Sequence, residues 1–294
     1  MNVHLLAAPV RPDVDCGLSP LVLGRAATSA LFDELVLYPK PGLVSFVDSG
    51  SHTDMNAHTF MRSIFSLSGY FDRITALGAA RAAFCDLEAC GQEAEVQMAV
   101  ATGGVNTHRG AIFMLGLLCA GAAAALQRTR HLSVSQIRNA LLDNWGVALA
   151  ARALRPALLP GGVAARRYGL RSASAEAALG FPVLWETAVP ALASALAAGM
   201  PVRLARLDCL FHVIAVLDDC NLAHRGGMEG LRFAQDAARR FLDAGGASRE
   251  GGEEAARTIH QDFIRRRLSP GGSADVLAAA CWMERISRAG AASA

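Results

Sequence analysis

Aromatic residues are scarce: Phe, Trp and Tyr make up 6% of the 294 residues. Runs of β-branched residues are short as well. Strands use both kinds of side chain to cover a pleated face, so their scarcity argues against a sheet-built protein. The chain also lacks any C-x-x-C pair. Its seven cysteines (Cys16, Cys85, Cys90, Cys119, Cys209, Cys220 and Cys281) are odd in number and dispersed, which suits buried free thiols in a reducing compartment. The short apolar stretch from Leu5 to Val10 runs into Arg11, Asp13 and Asp15, so it is not expected to act as a signal peptide. The longest unbroken apolar run, Ala111 to Leu126, is rich in alanine and glycine and falls short of a bilayer span; it reads as a core helix of a cytoplasmic protein with no membrane partner. Net charge is only +2, with no basic stripe interleaved with aromatics, so no nucleic-acid polymer is expected as a partner. The densest basic run, Arg265 to Arg267, closes a predicted helix, where the dipole favours cations.

What is present is small and helix-favouring. Hydrophobic residues make up 52% and mean hydropathy is +0.29, much of it from alanine. Strand–helix alternation is absent, which excludes a Rossmann or P-loop sheet, and no fixed-period repeat occurs. The expectation is an all-α chain: a loose tail over 1–17, then one helical catalytic domain over 18–294, long enough to bury a sizeable core. Helices are predicted over 20–37, through Phe60, Ile64, Leu67 and Phe71, and over 73–90, 108–127, 134–152, 184–199, 203–219, 228–243, 253–268 and 274–288.

Polar chemistry in such a protein belongs to its loops. Three of the six Gly-Gly pairs lead into predicted helices with polar company. In the first, Thr102, Gly103, Gly104, Asn106, Thr107, His108 and Arg109 surround one turn. Asn106 or Thr107 would cap the next helix, and its free N–H groups, with Arg109, would suit a phosphate. The same dipole would disfavour protonation of His108. In the second, Asn221, His224 and Arg225 precede Gly226-Gly227. In the third, Gly271-Gly272 make a turn, Ser273 caps and Asp275 lies in the first turn. Asp218 and Asp219, adjacent at a predicted helix C-terminus, would repel each other and oppose the dipole, which a bound Mg²⁺ would relieve; solvation by water would also do so. Glu95, flanked by Val96, Met98 and Val100, reads as a partly buried base with a raised pKa or as an exposed helix face. Asp54 is a second candidate base or a helix cap. Lys40, between two prolines, reads as an anchored phosphate contact or a surface lysine.

Together, the segments Tyr38–Val44, Gly50–Met55, Ala101–Phe113, Asn221–Gly227 and Ser269–Leu277 resemble the triphosphoribosyl-dephospho-CoA synthase family, in the family's order. The resemblance implies an all-helical fold and a reaction in which ATP and 3′-dephospho-CoA give 2′-(5″-triphosphoribosyl)-3′-dephospho-CoA and adenine. It further implies a second transferase that loads the product onto the acyl-carrier subunit of malonate decarboxylase or citrate lyase; the Asp218–Gly227 string is closer to the malonate branch. Glu176 keeps the family pattern, but Ser174 stands where the family usually has arginine. Arg166, Arg167 or Arg171 would then supply that charge.

Substitution at the anomeric carbon of the ATP ribose passes through an oxocarbenium-like state. Glu95 or Asp54 would take the hydroxyl proton and His108 would protonate adenine. Gly103-Gly104 would seat the triphosphate, and Asp218, Asp219 and Asp275 would hold Mg²⁺. One rival is a magnesium-dependent helical enzyme of the prenyl-synthase type, for which a second acidic cluster is missing. Another is a non-enzymatic adaptor, which would leave the polar glycine loops without a purpose. Exposed faces of Ala-rich helices would suit a homodimer.

Overall fold

A computed structural model describes residues 18–129 and 132–291; the predicted tail lies outside them. Twelve α-helices form, with no strand among the described residues: α1 (Pro20–Val36), α2 (Ala57–Ala79), α3 (Phe84–Thr102), α4 (Arg109–Leu126), α5 (Val134–Ala153), α6 (Pro160–Tyr168), α7 (Ala173–Ala178), α8 (Val189–Ala197), α9 (Val202–Val216), α10 (Cys220–Asp243), α11 (Gly252–Arg265) and α12 (Gly271–Ala291). A π-helical turn, Leu184–Ala188, leads into α8.

The ends follow local chemistry. Ser19, Ser133 and Ser172 cap α1, α5 and α7, and Asn56 forms a reciprocal box with Thr59 at α2. The cap of α2 is therefore Asn56, not Asp54. The helix predicted over 73–90 is really two: α2 continues its apolar stripe through Ile74, and the chain turns at Arg81, which takes a left-handed φ of 50°. The segment carrying Glu95 belongs to α3. The short α6 and α7 escaped prediction, since six to nine residues give too little periodicity.

Helix α4 is the axis of the core. It packs against α1, α2, α3, α5 and α12, and every residue from Met114 to Ala125 is buried. By length and composition its 18 residues could cross a bilayer, contrary to the shorter run read from sequence, but 78% of that window is buried in protein. Small residues allow the close packing: a Cβ on Gly78 of α2 would lie 2.3 Å from Ala120 Cα of α4. Trp282 of α12 is fully buried and donates from Nε1 to Leu23 O of α1 at 3.1 Å.

The loop over 37–56 is pinned from below. His260 of α11 places Nε2 3.0 Å from Asp48 Oδ2 and Nδ1 3.2 Å from Gly42 N. Ser51 Oγ donates to Leu268 O at 2.6 Å, and Arg225 Nη1 donates to Ser51 O and Arg267 O. These bonds hold the loop beside the N-terminus of α12, where the site lies.

Candidate active site

A cavity of about 1220 Å³ opens where four helix N-termini meet, those of α4, α6, α10 and α12. Helix starts carry the positive end of the dipole, although Asp219 takes the first N–H groups of α10 and one of α12, and Asn106 takes one of α4. Six arginines join them on the cavity wall: Arg109, Arg152, Arg155, Arg166, Arg171 and Arg225. Glu88 of α3 holds two of these, pairing with Arg152 and taking Arg155 Nη1 at 2.7 and 2.9 Å on its two oxygens. Arg152 also lies over the Phe113 ring, 5.0 Å from its centroid. Arg109 Nε donates to Glu95 Oε2 at 2.8 Å. Arg166 donates to Arg155 O and, among the described residues, makes no ion pair. Fixed cations at converging helix starts have the charge that a polyphosphate requires.

Among the described residues, five buried side-chain polar atoms lack a hydrogen-bond partner, and four belong to residues of this wall: Thr107 Oγ1, His108 Nε2, Arg152 Nε and Glu176 Oε2. Leaving such groups unpaired costs about 1–3 kcal/mol each, a cost that a polar ligand in the cavity would relieve. His108 is fixed by Ser63 of α2, whose Oγ lies 2.7 Å from Nδ1, and its ring meets Phe60 edge-to-face at 4.9 Å. Burial first, then the nearby Lys40 charge, pulls its pKa down to about 3, so the ring is neutral near pH 7.

The cavity floor is acidic. Asp219 caps α10, accepting from Asn221 N and Leu222 N on Oδ1, and from Ser273 N and Oγ on Oδ2 at 2.8 and 2.9 Å. Asp275 lies beside Gly110 at the start of α4; burial, then Asp219 and Glu34, push its pKa well above the usual carboxylate range, with the Ala111 N–H opposing. It also explains Gly110, where a methyl group would lie 1.9 Å from Asp275 Oδ2. Gly110→Ala should therefore cost about 1–3 kcal/mol by overpacking and depress activity as the carboxyl is displaced. A thermal melt together with an activity assay reads both; an unchanged variant would contradict the contact.

Comparison with known proteins decides the family. A family model for ATP:dephospho-CoA triphosphoribosyl transferase matches residues 20–293. A probable 2-(5″-triphosphoribosyl)-3′-dephosphocoenzyme-A synthase of Pseudomonas syringae pv. tomato is 36% identical over 278 residues, 90% of this chain and 91% of that protein. The probable synthase of Azotobacter vinelandii is 38% identical over 272 residues, 88% and 89% of the two chains. The 2-(5″-triphosphoribosyl)-3′-dephosphocoenzyme-A synthase of Klebsiella pneumoniae is 37% identical over 267 residues, 86% and 87%. The chain belongs to the ATP:dephospho-CoA triphosphoribosyl transferase family. No solved structure matches it.

Of the residues singled out in the sequence of this transferase, Glu95, Asn106, Thr107, His108, Arg109, Glu176, Asp218, Asp219, Asn221, Arg225, Gly271, Gly272 and Asp275 share the cavity wall. Others do not reach it. Gly103 and Gly104, with φ of 69° and 89°, terminate α3, where Gly104 N donates to Ala99 O. They sit at the negative end of a helix, the wrong end for a triphosphate. Thr102 Oγ1 is spent on the carbonyls of Met98 and Val105. Gly227, with φ of 63°, kinks α10, and Gly226 makes room for Leu268. Ser273 is fully buried and bound to Asp219. The Asp54 side chain is 60% exposed and faces His52 Nδ1 at 3.5 Å. Lys40 is wholly buried, with Nζ 2.5 Å from Glu34 Oε1.

The three aspartates are engaged separately by protein donors. Four donors fill the four lone-pair sites of Asp219. Asp218 follows the end of α9 instead of closing it, and its Oδ2 accepts from Arg171 N at 3.1 Å. Among the described residues no group of three or more His, Cys, Asp or Glu side chains is arranged to hold a metal. The sequence reading missed Arg152 and Arg155 altogether. Of the arginines offered in place of Ser174, Arg166 and Arg171 reach the cavity, whereas Arg167 lies over the Tyr168 ring.

Proposed function

We propose that this enzyme joins ATP to 3′-dephospho-CoA, releasing adenine and forming 2′-(5″-triphosphoribosyl)-3′-dephospho-CoA. The observation that carries the reading is the cavity itself: arginines and helix starts suit two polyphosphate-bearing nucleotides, and the unpaired polar atoms between them await ligand partners. Arg152, Arg155 and Arg166 would grip the triphosphate, outside Gly103-Gly104.

The reaction needs the leaving base stabilised as the bond from ribose C1 to adenine lengthens. His108 fits that task as a neutral hydrogen-bond donor. Assigning the Ser63 hydroxyl as donor to Nδ1 puts the ring proton on Nε2, the nitrogen without a partner. Magnesium is proposed to travel with the ATP triphosphate, lowering its charge; Asp219 spends its oxygens on four protein donors.

The product would pass to a separate transferase that loads an acyl-carrier protein, with malonate decarboxylase favoured over citrate lyase by the Asp218–Gly227 string. The cytoplasm is the proposed compartment. A homodimer would cover exposed apolar side chains such as Phe65, Val96 and Val100. Adenine release, followed by chromatography with ATP, Mg²⁺ and 3′-dephospho-CoA supplied singly and together, tests the reaction. Adenine should appear only when both nucleotides are present, matched by a product carrying both. Adenine from ATP alone at the same rate would instead make the chain a nucleotide hydrolase.

A further inference from the structure

We infer that Glu176 is the catalytic base that takes the proton from the 2′-hydroxyl of 3′-dephospho-CoA. The inference rests on the reaction proposed above and names the group that activates its nucleophile. Glu176 lies on α7 at the cavity wall and is 6% exposed. Its Oε1 accepts from Arg171 Nη1 at 3.1 Å, which fixes the carboxylate plane. Its Oε2 is enclosed and unpartnered. A buried carboxylate oxygen without a donor is costly, and the hydroxyl of a bound substrate is the donor the cavity would admit.

Among the described residues, no other carboxylate of the wall has a buried oxygen left without a hydrogen-bond partner. Glu88 holds Arg152 and Arg155, and Asp219 takes four donors. Glu95 is a third exposed and tied to Arg109; Glu34 is tied to Lys40. Asp275 faces the N–H of Ala111. Asp218 is engaged on one oxygen by Arg171 N.

The step balances as follows. The 2′-oxygen bonds to ribose C1 of ATP while its proton passes to Glu176 Oε2. The bond from C1 to the adenine nitrogen breaks, and its electron pair leaves with adenine, which gains a proton from water. Glu176 returns its proton to water before the next turnover.

Burial raises the pKa of Glu176, opposed by Arg171 and the Val183 N–H and assisted by Asp218. On the packed face of α5, Arg138 is engaged by Leu179 O and Glu186. A raised pKa strengthens the base and places its loss of function at mildly acidic pH.

Glu176→Gln should lower kcat by about 10²–10⁴ while KM for both nucleotides stays within about threefold. In the native enzyme kcat should fall on the acid side with an apparent pKa above that of free glutamate, about 4.3. A variant turning over within about threefold of the native rate overturns the assignment. So does a kcat loss matched by an equal loss of 3′-dephospho-CoA affinity, which marks an anchor. If the variant fails to fold, the native profile decides, and a kcat level down to about pH 4.5 overturns it. Native protein that releases no adenine with both nucleotides present overturns the reaction itself and this assignment with it; a normal native rate beside an unimpaired variant overturns the assignment alone.

Discussion

Lys40→Ala should destabilise the fold by about 3–5 kcal/mol, the cost typical of leaving one half of a buried ion pair unpaired. Lys40 is the chain's only lysine and has no exposed surface. Its Nζ lies 2.5 Å from Glu34 Oε1 and 2.6 Å from Glu34 O, at the C-terminal end of α1. Burial lowers its pKa and the Glu34 charge opposes that shift. Truncation would leave the Glu34 carboxylate buried, already close enough to Asp275 to raise that group's proton affinity. Glu34 would then act on Asp275 without the Lys40 charge to offset it. The double variant Lys40→Met, Glu34→Gln removes both charges and should recover much of the loss, since a buried pair replaced as a unit is often close to neutral. Denaturant titration of the two variants separates these outcomes. A single variant within about 1 kcal/mol of native stability would mean that water reaches Glu34.

The same residue shows what the sequence concealed. Lys40 between Pro39 and Pro41 reads as a phosphate contact or a surface lysine, but it is buried against Glu34 of α1, with His260 of α11 on its carbonyl. Helix identity was legible because it is local: alanine, the serine caps and Pro20 act within a turn or two. The polarity of helix ends was harder to read. Left-handed glycines such as Gly103-Gly104 stop a helix as readily as they precede one. With α3 already helical through Thr102, the pair is a stop. Asp218-Asp219 was assigned to the end of one helix, but the break after Val216 is so short that Asp219 begins the next, where the dipole favours it. Arg152 and Arg155 carried no signal, because arginines near a helix C-terminus usually answer the dipole alone; their role depends on Glu88 and Phe113, 39–67 residues away in sequence. The Thr-His-Arg string was informative because two of its buried heteroatoms have no structural partner at all.

Acidification should expose His108 as a stability switch. Its pKa is about 3 in the folded protein against 6.5 for an ordinary histidine. The folded value is the lower one, so between those limits the unfolded chain binds the extra proton. The contribution is complete above pH 6.5 and is lost on acidification, by about 1.4 kcal/mol for each pH unit. Asp275, Glu176, Asp219 and Asp208 have raised pKa values and act in the opposite sense, gaining stability as they protonate in the folded state. The native pH curve therefore mixes both signs, and only a difference isolates the ring. His108→Asn removes the titration while keeping a polar group near Ser63. Between about pH 6 and pH 4, native stability should fall relative to the variant by about 1 kcal/mol per unit. Parallel curves would mean that the folded ring is hydrated and takes its proton freely. A neutral ring over that range also bears on the chemistry. It offers adenine one N–H and no positive charge, so its contribution should persist below pH 6, where a solvent-exposed histidine would already be charged.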